Sequence, residues 1–376
     1  MAYTNRDFWH AETGGLEDCD ATSGSPSADS TIKQSGSYSF KLPSNTASSI
    51  DFDYTGTSER WVSVWSRFSD ATPAADKTFL EIWDPTDTDL HASLVLKTDG
   101  KIEIVDATGS TAASSGAVFS NNTWHFVQFH FVASDSSSGE VWVDHNQEAI
   151  LSGDYRDGTS SPGFIRLRNA GSNHTDMWFD TLRLDTGTTS ERPTGGEALS
   201  FLGDSSSTTS GDALDAGNLY DTQEIPVNET NIADQTGAGG YGSDIDCDGT
   251  GGATGPAGQG LNTFDNMKVI CRGKRSGGSG TAQYLRYGND VDGAVNSSDL
   301  NATTGFANYR RKLGHAHIRI PSNSEYMRVG MGKSAGGQDW DVAEMLGFLL
   351  HVPAEPGGSF VRPYMQRKNI RHMVNR

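Results

Sequence analysis

An all-β fold is what this sequence predicts, and three observations predict it. Apolar residues recur with period two in runs of strand length. Each run stops at Gly, Pro, Asp or Ser. The 376 residues include 44 Gly and are only 35% hydrophobic, a balance that suits short strands joined by many turns. The chain is also longer than one hydrophobic core usually serves, so two domains are expected.

The elements follow in order. Trp61 to Phe68 (WVSVWSRF), Thr78 to Trp83 (TFLEIW), Ala92 to Leu96 (ASLVL) and Lys101 to Val105 (KIEIV) each read as a strand. Trp124 to Phe131 (WHFVQFHF), Gly139 to Asp144 (GEVWVD), Phe164 to Leu167 (FIRL) and Met177 to Leu184 (MWFDTLRL) continue the series. Eight or more short strands at this spacing imply an antiparallel sandwich, because two half-apolar sheets bury their faces against each other. Residues 187–199, GTTSERPTGGEAL, lose all periodicity and read as a connection between domains. Beyond it, Asn266 to Arg272, Ala282 to Tyr287, Ala316 to Ile320 and Tyr326 to Gly330 read as strands, and Ala343 to Leu350 as strand or helix. A second, smaller sandwich over 200–353 is the economical reading. After Glu355 the acids cease, and 354–376 forms a basic arm on an acidic protein.

Charge removes one class of partner. With 48 Asp and Glu against 29 Lys and Arg, the formal charge is −19, and no clustered basic face is available to the body for tracking phosphates, so no nucleic-acid partner is expected. No run approaches the about 20 apolar residues of a membrane span, and the start MAYTNR has no apolar leader core. Synthesis in the cytosol without membrane insertion is therefore expected. Three cysteines, Cys19, Cys247 and Cys271, make no disulfide framework; Cys247 and Cys271 are left as a bridge or as buried thiols.

The run TWHFVQFHFVAS, then GEVWVDHNQEA, FIRLRNAG and MWFDTLRLD, resembles the laminin-G-like, concanavalin A-like lectin/glucanase domains over about residues 7 to 186. FWHAETG near the start and SGSYSFKL at 35–42 fit the first strands of that family. The resemblance implies a jelly roll over 1–186. This superfold hosts lectins, hydrolases and structural modules alike. The second half, with LGD at 202–204, the acidic VNETNIAD stretch, NMKVICRGKRSGGSGTAQYLRYG and QDWDVAEMLGFLLHV, resembles domains that follow such modules in tailed-phage structural proteins.

Chemistry is harder to find. The superfold's glycosidases carry E-x-D-x-E or E-x-D-x-x-E on one strand, and neither string is present; Glu140, Asp144 and Glu148 are spaced by four and end at a turn. Gly203-Asp204-Ser205 and Gly332-Lys333-Ser334-Ala335-Gly336 imitate esterase and serine-elbow motifs but lack the downstream D-x-x-H and the α/β context those need. Asp244, Asp246 and Asp248, with Gly249, imitate the opening of a calcium loop, although Gly255 stands where a bidentate Glu is required. His315 and His317 share a strand face without a third ligand nearby. The resemblance implies a sugar or calcium site at one rim, and Trp83, Asp84 and Tyr155 are the loop candidates for glycan. Arg362, Tyr364, Arg367, Lys368 and Arg371 are the candidates for assembly, Tyr and Arg being types enriched where protein surfaces meet.

The sequence reading is thus a non-enzymatic structural protein of a tailed virion, displayed on the particle as capsid decoration or tail-associated adhesin. Its expected partners are other virion proteins, copies of itself and a host-surface glycan. No cofactor is expected other than calcium. A lectin is the first rival and a carbohydrate-active enzyme the second.

Overall fold

The computed structural model describes residues 5–186, apart from 12–13, 17, 36–37, 45, 55–58, 159 and 171–174, and beyond them the strands between 197 and 351 together with 300 and 302–304. Every regular element among these residues is a strand.

Residues 5–186 form a two-sheet antiparallel jelly-roll sandwich. The strands are β1 (Asn5–Trp9), β2 (Ala21–Ser23), β3 (Ser27–Asp29), β4 (Ser39–Leu42), β5 (Ser48–Asp53), β6 (Glu59–Phe68), β7 (Lys77–Trp83) and β8 (Leu90–Leu96). They continue as β9 (Ile102–Asp106), β10 (Thr111–Ala113), β11 (Trp124–Val132), β12 (Ser137–Val143), β13 (Asn146–Gly153), β14 (Phe164–Asn169) and β15 (Met177–Thr186). One sheet has eight strands in the order β13-β12-β11-β6-β15-β4-β3, with β1 also on β15; the other has seven in the order β10-β9-β8-β7-β14-β5-β2. Each β11 residue from Trp124 to Val132 faces one of β6, and the last strand pairs with the first, β1 on β15.

The inner faces supply one core. Val62, Val64 and Phe68 of β6, Val127, Phe129 and Phe131 of β11, and Phe179, Leu182 and Leu184 of β15 meet Phe79, Leu80 and Ile82 of β7 and Ile165 and Leu167 of β14. Phe68, Phe79 and Phe119 pack edge to face with centroids 5.0–6.1 Å apart, the arrangement ring quadrupoles favour. Each fully buried Phe, Leu or Ile here contributes about 1.5–3 kcal/mol.

A bulge in β15 between Asp180 and Arg183 lets this one strand serve two neighbours, β4 through Met177–Phe179 and β1 through its second half. Thr181 takes a left-handed φ of 39° there. The Asp180 carboxylate, buried, accepts the backbone N–H groups of Gln34 and Ser35 at 2.9 and 3.1 Å and so ties the β3–β4 connection to the bulge.

Beyond 186 the described strands pair only with one another. They are β16 (Glu197–Phe201), β17 (Gly203–Thr208), β18 (Ala233–Gln235), β19 (Ser243–Cys247), β20 (Phe264–Arg275), β21 (Gln283–Asn289), β22 (Gly293–Asn296), β23 (Ala307–Gly314), β24 (Met327–Lys333) and β25 (Trp340–His351). They make two five-stranded antiparallel sheets, β16-β25-β20-β23 with β18 on β25, and β17-β19-β24-β21-β22. The segment left as strand or helix is the strand β25. Residues 197–199, assigned to the connection, pair with β25 instead. Gly203-Asp204-Ser205 lies in extended β17, so no nucleophile turn forms there. The strand expected at Ala316 to Ile320, with His315 and His317, falls outside the described residues, as does the arm 354–376.

Candidate functional site

Strand alternation gives β6 and β11 two chemically different faces. With Val62, Val64, Val127, Phe129 and Phe131 turned to the core, Trp61, Ser63, Trp65 and Arg67 of β6 and Phe126, Gln128 and His130 of β11 lie on the outer face of the eight-stranded sheet. Register then aligns them into rows across four strands. One runs Glu140, His130, Trp61, Asp185; the next runs Trp142, Gln128, Ser63, Arg183. Three strand spacings make each row about 15 Å long. A second pair of rows carries Phe126 against Trp65, centroids 5.0 Å apart, and Arg67 over the Trp178 ring at 5.0 Å.

The centre of this face is ionic. His130 stacks on Trp61 at 4.5 Å with an interplanar angle of 18°. Its Nε2 lies 2.9 Å from Glu59 Oε1 and its Nδ1 3.2 Å from Glu140 Oε1. Only the imidazolium donates both bonds at once; the neutral ring donates one. Glu140 Oε2 also accepts from Trp142 Nε1, at 3.2 Å, and from Gln147 Nε2. Beside them Arg183 and Asp185, side chains 1% and 0% exposed, form an ion pair of 2.7 Å between Nε and Oδ2. Two buried polar atoms on the same face, Trp61 Nε1 and Ser63 Oγ, meet no hydrogen-bond partner among the described residues. Leaving such a group unsatisfied costs about 1–3 kcal/mol. The face runs from this buried floor to the half-buried Glu140 and Trp142 and the exposed Gln147.

The residues expected at the site lie elsewhere. Trp83 is on the outer face of the other sheet, its Nε1 donating to Glu81 and its ring under Arg166 at 5.6 Å. Asp84 is corrected from glycan ligand to turn cap: it is buried and accepts the N–H groups of Thr86, Thr88 and Asp89 and the Thr86 hydroxyl. Burial alone would raise its carboxyl, yet these donors together hold it well below the usual range. Tyr155 is likewise corrected. Its side chain is in the core against Phe129 and Phe131, its hydroxyl donates to the Leu151 carbonyl at 2.9 Å, and it fits only because residue 139 is Gly, where a Cβ would sit 2.3 Å from that hydroxyl. An enclosed ring cannot stack on a sugar.

Asp244 and Asp246 lie in β19, extended and paired with β17 and β24; Asp248 and the rest of the expected calcium loop are outside the described residues. No group of three or more His, Cys, Asp or Glu among the described residues is disposed to hold a metal ion. Arg362, Tyr364, Arg367, Lys368 and Arg371 are outside the described residues. Glu140, Asp144 and Glu148 do separate: Glu140 joins His130, and Asp144 pairs with His125.

No protein-family model matches the chain, and no curated protein matches it in sequence. Solved structures do. It is similar to the endo-β-1,4-glucuronan lyase of the fungus Trichoderma reesei, at 12% identity and a TM-score of 0.38, over 50% of this chain and 96% of that one. It is similar to a carbohydrate esterase of the Shiga toxin-encoding bacteriophage phi24B, at 13% identity and a TM-score of 0.37, over 48% and 97%. An alginate lyase solved with alginate tetrasaccharide gives 10% identity and a TM-score of 0.35 over 51% and 97%. The sequence reading of a non-enzymatic protein is corrected on this finding: the matched chains, spanned almost end to end, are lyases and an esterase, so a jelly roll of this kind gives no ground for excluding catalysis.

Proposed function

We propose that this chain is a carbohydrate-directed protein that engages polysaccharide on the outer face of its eight-stranded sheet. The observation that carries the reading is the pair of adjacent cross-strand rows. In them the half-buried Trp142 and Glu140, with the exposed Gln147 beside them, edge a buried polar floor made by Trp61, His130, Gln128 and the Arg183–Asp185 pair. Aromatic faces suit the C–H faces of pyranose rings, and convergent polar groups suit hydroxyls and carboxylates. Calorimetric titration of the full chain with neutral and acidic polysaccharides should give saturable binding, weakened about tenfold or more by Trp142→Ala. Absence of saturable binding, or an unchanged affinity in that variant, overturns the reading. Release of reducing ends in the same mixtures measures whether the face also cleaves what it binds.

The setting we propose is the surface of a tailed-virus particle, with copies of itself and other virion proteins as partners. It rests on the resemblance of residues 200–353 and on the order of the two halves. A mass-spectrometric inventory of purified particles tests it, and absence of the chain from them removes it.

A further inference from the structure

At the rim of the sandwich, away from the sugar-directed face, side chains from the start of β11 and from two connecting segments meet. His125 is the second residue of β11, Ser120 lies in the loop before it, and Asp144 starts the two-residue hairpin turn between β12 and β13, where Asp144 and His145 take φ values of 49° and 73°. His125 Nδ1 is 2.7 Å from Asp144 Oδ2, and His125 Nε2 is 3.3 Å from Ser120 Oγ. The tautomer is fixed by the backbone: the Ser120 N–H donates to Nε2 at 3.2 Å, so Nε2 is the acceptor and Nδ1 carries the proton toward Asp144. Asp144 is itself oriented by the Phe126 N–H on its other oxygen, at 2.8 Å. Burial would raise the Asp144 carboxyl, but the bonds from His125 and Phe126 hold it below its ordinary value. Ser120 is exposed, and a cavity of about 270 Å³ walled by Ser115 to Val118 on one side and Val143, Asp144, Asn146 and Glu148 on the other opens next to Asp144.

We propose that Ser120, His125 and Asp144 form a nucleophilic triad that hydrolyses small acyl esters. Ser120 Oγ bonds to the ester carbonyl carbon as its proton passes to His125 Nε2, whose lone pair leaves the Ser120 N–H to take it. The carbon–oxygen bond to the alcohol then breaks, and the leaving oxygen takes that proton. Water repeats the sequence on the acyl-serine, releasing the acid and restoring Ser120. Ser120 and His125 are the catalytic residues, and Asp144 is a positioning residue. The inference is independent of the sugar-directed face.

A fluorophosphonate probe on the full chain, with adducts mapped by mass spectrometry, tests it. The expected result is an adduct on Ser120 formed faster than on any other exposed serine, absent in Ser120→Ala and slowed about a hundredfold or more in His125→Gln. Asp144→Asn keeps an acceptor for the Phe126 N–H but turns the wrong group toward His125. It should lower kcat on p-nitrophenyl acetate with KM little changed, in protein whose melting transition matches the parent. If Ser120 reacts no faster than other surface serines, or if His125→Gln and Asp144→Asn label and turn over at the parent rate, His125 is only a strut between two turns and the proposal is wrong.

Discussion

The two outer faces of the sandwich both carry polar and charged residues and do opposite things with them. On the seven-stranded sheet the charges satisfy one another at the surface. Arg166 forms a two-pronged pair with Asp51 at 2.8 and 2.9 Å and reaches Asp87 at 3.0 Å, Arg168 meets Glu81, and Lys97 meets Glu103 and Asp76. Hydrogen bonds donated to Asp51 hold the Arg166 guanidinium still more firmly protonated. Trp83 is absorbed into this lattice through Arg166 and Glu81. On the eight-stranded sheet the charges are sunk among aromatic rings: Arg183 and Asp185 are enclosed, His130 stands between two carboxylates on the Trp61 ring, and Trp61 Nε1 and Ser63 Oγ meet no hydrogen-bond partner among the described residues. A solvated face saturates its own groups. A face directed at a ligand holds groups in readiness at an energetic cost.

The largest expected effect tests how far that cost extends. Asp180 lies on the same outer face, and complete burial pushes its carboxyl up to about 7 from 3.8, against the opposing hydrogen bonds from Ser35 and Gln34. The folded state therefore keeps a proton that the unfolded chain releases. This contribution is full below about pH 4 and is lost as pH rises through about 7, by up to about 4 kcal/mol. Chemical denaturation across pH 4 to 8 should show stability falling with pH in the parent and a flatter profile in Asp180→Asn. Equal slopes would mean the bulge is not strained by its charge.

Next in size is the contrast in binding. Trp142→Ala should cost about tenfold in polysaccharide affinity, whereas Trp83→Ala on the other sheet should leave it within about twofold. Equal losses would place the ligand elsewhere. A smaller effect is expected at Asp87, half exposed beside Arg166: Asp87→Asn should change the unfolding free energy by less than about 1 kcal/mol, with even that reduced by salt. The smallest effect on the sandwich is that of removing residues 357–376, which should leave its melting transition where it was while weakening self-association or particle attachment. Unchanged association over a range of salt would reduce the arm to a tail.

Much of the strand framework was legible because the core imposes period two on β6, β7, β11 and β15. β13 was not, since NQEAILSG carries only Ala149 into the buried set and shows no alternation. The site was less legible still. In WVSVWSRF both phases of the alternation contain apolar residues, so the sequence does not say whether Trp61 and Trp65 or Val62 and Val64 face the core. Glu59, His130 and Glu140 lie on three strands and meet only through the β6-β11-β12 register. Trp124 and the HFVQFHF run carried the available signal, because a buried strand with His and Gln in one phase has a face that is not core.

By itself the sequence determined that the chain is all-β and where most strands of the first half run, because periodicity and turn residues are local properties. Tertiary structure alone decided which face of each strand is inside. It turned Tyr155 from a rim residue into core by giving it the space over Gly139, and Asp84 from ligand into cap by gathering three backbone donors on it. It also brought Ser120, His125 and Asp144 together from the start of β11 and two connecting segments. Those outcomes depend on cross-strand register and on volume, and register is fixed only when two sheets close over one core.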